Sequence, residues 1–242
     1  MKIKLFFHLP IVFALLSNVF AQSAVIRSKK VTYKRSEPTS DFKKTFTVNY
    51  PKVKASNAAL SKKIESSISY EKNLLLDLKE EMGAYQWLEE ADFNVGYNKK
   101  GVLSVGLSVT GTAAHQTWLY KTVVVDLKTG KKVRPIDVFT NLKGLIAKLK
   151  TIQNAEIKEG IKLIKEDPDY QGENTDKLFK YTDFIAPNLE GFSVDERGVT
   201  FYYDYGFPYI IRAIQPGGNY VLSWKEIKPF IKRRGLLGKF IR

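Results

Sequence analysis

Apolar and polar residues alternate along residues 102–110, and this is the clearest pattern in the chain. One side of the stretch is apolar and the other is small and polar: Leu103, Val105, Leu107 and Val109 against Ser104, Gly106, Ser108 and Thr110. A period of two predicts a β-strand with one buried face and one polar face. Residues 118–127 carry bulky side chains on both sides, which predicts a central strand covered on both faces.

Shorter alternating runs, bounded by turn residues, predict more strands and two hairpins. The hairpins pair 93–97 with 103–109 and 192–194 with 199–203. The remaining predicted strands are 25–34, 44–50 and 220–223.

Apolar residues recur at helical spacing in three places. The first predicted helix is long and runs from about Ala58 to Met82, with Gly83 just beyond its end. The second carries an apolar stripe from Leu142 to Ile164 and is capped by Thr140 or Asn141. A third, shorter helix is predicted from Trp224 to Ile231.

Clustered strands joined by hairpins predict an α+β fold rather than a doubly wound one. We expect antiparallel sheet(s) of about six to seven strands, with two long amphipathic helices and a C-terminal helix packed on them. No repeat interrupts this order, and no linker is long enough to force separate domains.

The first 21 residues have a short basic region, an apolar core and small residues at Val19 and Ala21, as in a signal peptide. An uncleaved N-terminal anchor is the alternative. We expect an exported protein, periplasmic or extracellular, cleaved after Ala21, with residues 22–242 as a single unit that ends in a basic tail, 232–242. The sequence contains no cysteine, which excludes disulfides and a lipid-modified cysteine.

The formal net charge is +14, and both ends of the expected mature chain are basic. Residues 22–63 include Arg27, Lys29, Lys30, Lys34 and Arg35. The tail contributes the candidate basic surface: Lys232, Arg233, Arg234, Lys239 and Arg242. Without a nucleic-acid-binding motif, this charge favours an anionic cell-wall polymer or a membrane surface as partner. We expect the two basic ends to share a face, and the glycine-broken tail to be dispensable for folding.

Residues 201–209 hold six aromatic side chains, and the following segment contains Pro216 and two glycines. Such a loop suits contacts with a protein or a sugar, although aromatic packing at a sheet end explains it equally well. The candidate binding residues are Tyr202, Tyr205, Phe207 and Tyr209, together with His115. His115 is the only histidine after the signal segment, and a structural role closing its loop is the simpler interpretation.

Other candidate chemistry is weaker. Residues 167–176 resemble the start of a calcium loop, but Leu178 occupies the twelfth position, where a bidentate Glu is needed. A surface turn therefore explains the segment better, and we assign no metal, cofactor or catalytic residue. Carboxylates that could serve a hydrolase are Glu89, Glu90, Asp92 and Asp204.

Several segments together resemble a family of bacterial exported domains of unknown function, DUF3298, with its frequent N-terminal companion DUF4163. The matching segments are Tyr50-Pro-Lys-Val53, 111–115, 124–130, 137–139, Gly198–Tyr203 with Tyr209, the turn at Gly217 and Gly218, and 224–231. Relatives of this kind include the extracellular part of a lysozyme-sensing anti-sigma factor and the N-terminal module of a peptidoglycan deacetylase. The resemblance implies a stand-alone binding module and brings no active site with it.

We therefore expect a non-enzymatic module of the cell envelope that recognises a wall glycan or a secreted protein such as lysozyme. Because lysozymes are usually basic, the positive charge of this chain favours an anionic glycan. The alternative is a carboxylate-dependent hydrolase of an envelope polysaccharide.

Overall fold

A computed structural model of the protein describes residues 23–39, 43–83 and 86–242. The predicted signal peptide lies outside the described residues. Among the helices of the described residues, none has the length and apolar character needed to cross a membrane.

Six strands form the larger sheet, and they follow one another in sequence order. All neighbours are antiparallel except β2 and β3, which run parallel and pair only at Thr47–Glu90 and Val48–Ala91. The strands are Val25–Lys34 (β1), Thr45–Lys54 (β2), Leu88–Lys99 (β3), Val102–Thr112 (β4), Gln116–Asp126 (β5) and Lys131–Lys132 (β6).

Three further strands form a small antiparallel sheet: Phe192–Val194 (β7), Gly198–Tyr202 (β8) and Asn219–Ser223 (β9). This sheet packs on one face of the larger one. Its strand β7 is held there by two hydrogen bonds, from the Thr122 hydroxyl to the Phe192 carbonyl (2.9 Å) and from the Val194 amide to the Ser104 hydroxyl (3.2 Å). The two sheets with their helices confirm the predicted α+β class.

The helices are mostly short, apart from one of 25 residues. They are Ala58–Ser67 (α1), Tyr70–Leu74 (α2), Leu78–Met82 (α3), Pro135–Val138 (α4), Leu142–Glu166 (α5), Thr175–Leu178 (α6) and Trp224–Ile227 (α7), with 3₁₀ turns at Ala186–Glu190, Tyr209–Ile214, Lys228–Phe230 and Leu236–Phe240. Helix α5 confirms the predicted second helix, and the Asn141 side chain caps it by accepting from the Gly144 amide (3.2 Å).

The predicted continuous first helix is wrong, because the chain breaks it into α1, α2 and α3. The Asn73 side-chain amide donates to the carbonyls of Ser67 (3.0 Å) and Ser69 (2.9 Å), and the Ser67 carbonyl is one that a continuing helix would bond to a backbone amide. Leu75 then adopts a left-handed conformation (φ 54°), which ends α2.

Two large apolar clusters lie on opposite faces of the six-stranded sheet. One contains Val105, Leu107 and Val109 of β4 and packs against α1 and α2. The other joins the small sheet to α5 and to the C-terminal segment through residues such as Phe192 and Leu149. A third, smaller cluster contains Tyr205 and Phe207 below the C-terminal half of α5.

The C-terminal tail belongs to the second of these clusters, so the expectation behind its predicted dispensability, that a glycine-broken terminus lies outside the core, is wrong. Leu237 is fully buried, and Phe240 stacks on Trp224 with a centroid distance of 4.3 Å. Gly238 lies so close to the backbone that a Cβ there would be 2.0 Å from the Arg233 carbonyl oxygen. The two tail glycines thus form a compact turn over the core, rather than marking a loose end.

An open sheet face as the candidate functional site

Strand β5 is exposed in its first half and buried in its second half. Trp118 is 55% exposed and Tyr120 is 36% exposed, whereas Val123, Val124 and Val125 are buried. The prediction that the whole strand is covered on both faces is therefore wrong for its first half. The small sheet covers this face only from Thr122 onward, where β7 is hydrogen-bonded to it.

The strand register brings carboxylate, hydroxyl and aromatic side chains together beside that exposed half. In antiparallel strands, directly paired residues point to the same face of the sheet. Two successive rows each cross β3, β4 and β5 in this way. We call these six residues the open sheet face: Glu90, Thr110 and Trp118 in one row, and Asp92, Ser108 and Tyr120 in the next.

The following row contains a glycine that gives Tyr120 its position. Gly106 is paired with Asn94 on one side and Thr122 on the other. A Cβ on Gly106 would lie 2.2 Å from the Tyr120 hydroxyl and 2.3 Å from Asn94 Oδ1, so both side chains lean over the glycine. Burial, with a smaller contribution from Tyr202, raises the pKa of Tyr120, so its hydroxyl stays neutral at ordinary pH.

Ring contacts extend the aromatic surface beyond the open sheet face. Trp118 stacks on Tyr120 (5.4 Å between centroids), and Tyr120 meets the edge of Tyr202 (6.2 Å). His115, next to the start of β5, stacks on Tyr209 (4.6 Å). Tyr209 is 55% exposed and His115 is also exposed, so this pair forms a second ring surface near the same end of the strand.

The structure therefore separates the predicted aromatic residues into two groups. His115 and Tyr209 are exposed, and Tyr202 is half-buried with its hydroxyl 2.9 Å from the Ser193 hydroxyl. Tyr205 and Phe207 are buried and pack against Phe179 with centroid distances of 5.7 Å and 5.2 Å. For these two, the alternative of structural packing is the correct one.

Sequence reasoning missed Trp118 and Tyr120 as functional candidates, although a signal was present. Their neighbours on β4 belong to the polar side of the alternation at 102–110. Aromatic side chains paired with Ser108 and Thr110 must share that polar face, which an apolar core would not cover.

The four candidate hydrolase carboxylates are all exposed, but only two of them share a face. Glu90 and Asp92 alternate along β3, while Glu89 falls in a bulge between the pairs made by Leu88 and Glu90. Asp204 lies elsewhere and is 3.5 Å from Arg212 Nη2. Within the described chain, no group of three or more His, Asp or Glu side chains is arranged to hold a metal ion.

One cleft of about 470 Å³ lies between α5 and residues 213–217. One of its lining acids, Glu156, accepts hydrogen bonds from the Tyr205 hydroxyl (2.7 Å) and the Gly218 amide (3.0 Å). These bonds give Glu156 a structural role, because they tie α5 to the segment before β9.

The tail cations lie at the end of the larger sheet where the β3–β4 and β5–β6 turns meet. Lys232 Nζ donates to the Ile136 carbonyl (2.6 Å), and Lys100 Nζ lies 5.0 Å from the centre of the Phe240 ring. Burial lowers the pKa of Lys239. We call this region the basic end. Its cations are Lys100, Lys128, Lys131, Lys232, Arg233, Arg234, Lys239 and Arg242, together with Lys99, which is ion-paired with Glu196 (2.6 Å).

The basic N-terminal segment approaches the basic end at two places. The Lys63 side chain lies against Gly130 of the β5–β6 turn, where an added Cβ would be 3.1 Å from Lys63 Cβ. The Ala24 amide donates to Asn98 Oδ1 (3.0 Å), beside the β3–β4 turn. The lysines of β1 then lie along the outer edge of the sheet, progressively farther from the β3–β4 turn.

The architecture is that of an α+β protein in which a small antiparallel sheet covers half of one face of a six-stranded mixed sheet. Solved structures share it, including two from Bacteroides fragilis and Pseudomonas aeruginosa. A DUF3298 family member from Bacteroides fragilis superimposes with a TM-score of 0.58 at 16% identity, over 91% of this chain and 98% of its own. A DUF3298 family protein from Pseudomonas aeruginosa gives a TM-score of 0.55 at 12% identity, over 87% of this chain and 94% of its own.

The protein therefore has the fold of DUF3298 family proteins, as the sequence resemblance implied. At these identities the likeness concerns the fold. No protein-family model matches the sequence, and no curated protein matches it significantly.

Proposed function

We propose that the protein is an exported, non-enzymatic binding module of the cell envelope that recognises a wall glycan through the open sheet face. In this proposal it is a member of the DUF3298 family with a DUF4163-like N-terminal half, and its signal peptide is cleaved after Ala21. The observation that carries the proposal is the exposed Trp118–Tyr120 stack beside Glu90 and Asp92.

This combination of side chains matches the two chemical characters of a sugar ring. The C–H face of a pyranose is apolar and packs flat on an aromatic ring, and Trp118, the more exposed ring of its stack with Tyr120, offers such a surface. The ring's hydroxyls need acceptors and donors at its rim, which the carboxylates and Thr110 supply. A rigid strand also holds these groups at low entropic cost.

A secreted protein such as lysozyme is the other ligand considered. A basic lysozyme would cover a large area of a chain whose net charge is +14, so it would also meet cations outside the open sheet face, which slows association and weakens binding. The glycan is therefore the ligand we favour.

The test is retention of the purified protein on peptidoglycan, with immobilised lysozyme as a parallel arm. Trp118→Ala should abolish retention on peptidoglycan. Leu119→Ala is the matched control, because Leu119 is a neighbouring exposed side chain (41%) that points to the opposite face of β5. Equal retention of both variants, or retention of the wild-type protein on lysozyme alone, contradicts the proposal.

One observation keeps a hydrolase as a second candidate. Glu90 and Asp92 are alternate residues on one strand, so their Cα atoms are about 7 Å apart, within reach of the spacings that glycosidases use. Release of soluble sugars from peptidoglycan by the wild-type protein, lost in both Glu90→Gln and Asp92→Asn, would support it. Binding without release supports the non-enzymatic function.

A further inference from the structure

We infer that the open sheet face binds a cationic amino group, and that its preferred ligand is a glycan whose amino sugars carry free amines. The inference rests on the proposed function and adds the chemistry that distinguishes one glycan from another. Four features of the described residues support it.

The two carboxylates of the open sheet face have no basic partner in the described part of the chain. Glu90 accepts one long hydrogen bond, 3.3 Å from Asn49 Nδ2. Neither Glu90 nor Asp92 takes part in an ion pair among the described residues. Two neighbouring carboxylates without a cation create a local negative potential that a ligand cation relieves.

The nearest lysines on the same face lie two strands away. Lys30 and Lys34 flank Thr32 on β1, and Thr32 is joined through Thr47 of β2 to Glu90 of β3. With adjacent strands about 4.8 Å apart, the backbones of β1 and β3 are separated by about 10 Å. No ion pair joins either lysine to Glu90 or Asp92 among the described residues, so the two carboxylates remain available to a ligand cation.

The aromatic side of the face favours a cation as well. The faces of Trp and Tyr rings carry negative charge density, and they attract an ammonium group within about 6 Å of the ring centre. Trp118 and Tyr120 thus supply the same electrostatic sign as Glu90 and Asp92. A neutral or anionic ligand would gain no attraction from the negative potential that the rings and carboxylates share.

The distance between the acids and the rings suits a single sugar residue. Glu90, Thr110 and Trp118 lie on three adjacent strands, so about 10 Å separates the Cα atoms of the outer two. One pyranose can lie over the small side chains of Thr110 and Ser108, with its apolar face toward the rings and its amino group toward the carboxylates. N-acetylation would replace the cation with a neutral amide and remove the attraction.

The test compares two probes that differ only at the amine: a glucosamine tetramer and an N-acetylglucosamine tetramer, titrated calorimetrically into the full-length protein at slightly acidic pH. We expect the glucosamine tetramer to bind at least tenfold more tightly. The preference should shrink with added salt, and it should disappear at alkaline pH, where the amine is neutral.

Substitutions assign that preference to the two carboxylates. Glu90→Gln with Asp92→Asn should reduce the preference, measured as the ratio of the two affinities, to less than threefold. A loss of hydrogen bonds to the sugar hydroxyls lowers both affinities alike and leaves that ratio unchanged. The control, Glu166→Gln with Glu173→Gln, makes the same change in net charge at exposed positions elsewhere and should keep the preference.

Three outcomes overturn the inference. Equal affinity for both tetramers, with peptidoglycan binding intact, contradicts recognition of the amine but leaves the proposed glycan-binding function in place. Binding of neither tetramer, together with loss of peptidoglycan binding, removes both proposals. Binding of a lysine-rich peptide but of no glycan shows that the site takes a protein cation instead.

Discussion

A buried ion pair joins Arg35, just after β1, to Glu81 of α3, and hydrogen bonds from both side chains reach Leu88 at the start of β3. The guanidinium lies 3.0 Å from the Glu81 carboxylate and also donates to the carbonyls of Lys43 (2.7 Å) and Leu88 (2.9 Å). The same carboxylate accepts from the Leu88 amide (2.9 Å). Each charged group therefore has hydrogen bonds beyond the ion pair itself, which is the condition under which a buried pair is tolerated.

Replacing Arg35 should destabilise the protein strongly, because Glu81 would be left as an uncompensated buried charge. We expect Arg35→Met to lower the free energy of unfolding by about 3–5 kcal/mol, measured by urea denaturation. Lys34→Met, an exposed neighbour on the same strand, should change it by less than about 0.5 kcal/mol. Similar values for the two variants would show that the ion pair is not structural.

The burial of Arg35 could not be predicted from the local sequence. In the sequence it belongs to a basic run with Lys29, Lys30 and Lys34, and nothing local separates it from those surface cations. Its burial depends on Glu81, 46 positions away, which brings the complementary charge. The open sheet face was hidden for a similar reason: Trp118 and Glu90 become neighbours only through strand pairing, although Gly106 and the polar side of β4 already indicated an uncovered face.

At the scale of elements, a series of side-chain hydrogen bonds connects α5 to the small sheet. The Tyr205 hydroxyl donates to Glu156 (2.7 Å) and lies 2.9 Å from the Tyr220 hydroxyl, which donates to it in turn. Burial, followed by the hydrogen bonds with Tyr220 and Glu156, raises the pKa of Tyr205, and burial likewise raises the pKa of Tyr220.

These raised pKa values predict a loss of stability in alkali. Unfolded tyrosines lose their proton near about pH 10, whereas Tyr205 and Tyr220 keep theirs in the folded protein. Above that pH the unfolded state binds fewer protons, so the free energy of unfolding should fall by about 1.4 kcal/mol per pH unit for each such tyrosine. Below about pH 10 the contribution is fully present.

Urea denaturation between pH 8 and 11 measures this slope. Tyr205→Phe should reduce it, whereas Tyr181→Phe, which removes an exposed hydroxyl, should leave it unchanged. An identical slope in all three proteins would mean that other groups cause the alkaline loss.

The C-terminal tail gives the second prediction at this scale. Leu237 is fully buried in the cluster between the small sheet and α5, so Leu237→Ala should cost about 2–5 kcal/mol of unfolding free energy. Arg242→Ala, at an exposed position in the same tail, is the control and should have little effect. Thermal denaturation of both variants distinguishes an integral tail from a dispensable one.

Element prediction succeeded where a periodic pattern was long and failed where side chains competed for backbone groups. Helix α5 and the β3–β4 and β7–β8 hairpins follow directly from their alternation or helical stripe. The first helix failed because Asn73 takes up the carbonyls at its break. The tail failed because glycines that usually mark a loose terminus here allow close packing.

Across the whole molecule, opposite charges lie at opposite ends of the same strands. The open sheet face uses the start of β3 and the end of β4, where Glu90 and Asp92 meet Ser108 and Thr110. The basic end consists of the β3–β4 turn, the β5–β6 turn and the tail. A molecule with this polarity can attach to an anionic polymer or membrane surface by one end and present the open sheet face away from it.

The basic end should therefore mediate association with anionic surfaces without contributing to recognition by the open sheet face. We expect the wild-type protein to co-sediment with phosphatidylglycerol vesicles, and the association to weaken as salt shortens the Debye length from about 8 Å. Arg233→Glu with Arg234→Glu should abolish co-sedimentation, because both positions are exposed and the substitutions leave the buried Leu237 in place.

The matched control reverses the same number of charges at exposed positions on α5, with Lys158→Glu and Lys162→Glu. Because net charge is identical in the two double variants, a difference between them isolates the position of the charges. We expect the control to retain most of the association. Equal loss in both would show that total charge alone governs it, and no loss in either would show that the basic end is not an attachment surface. Peptidoglycan retention through Trp118 should stay unchanged in both variants.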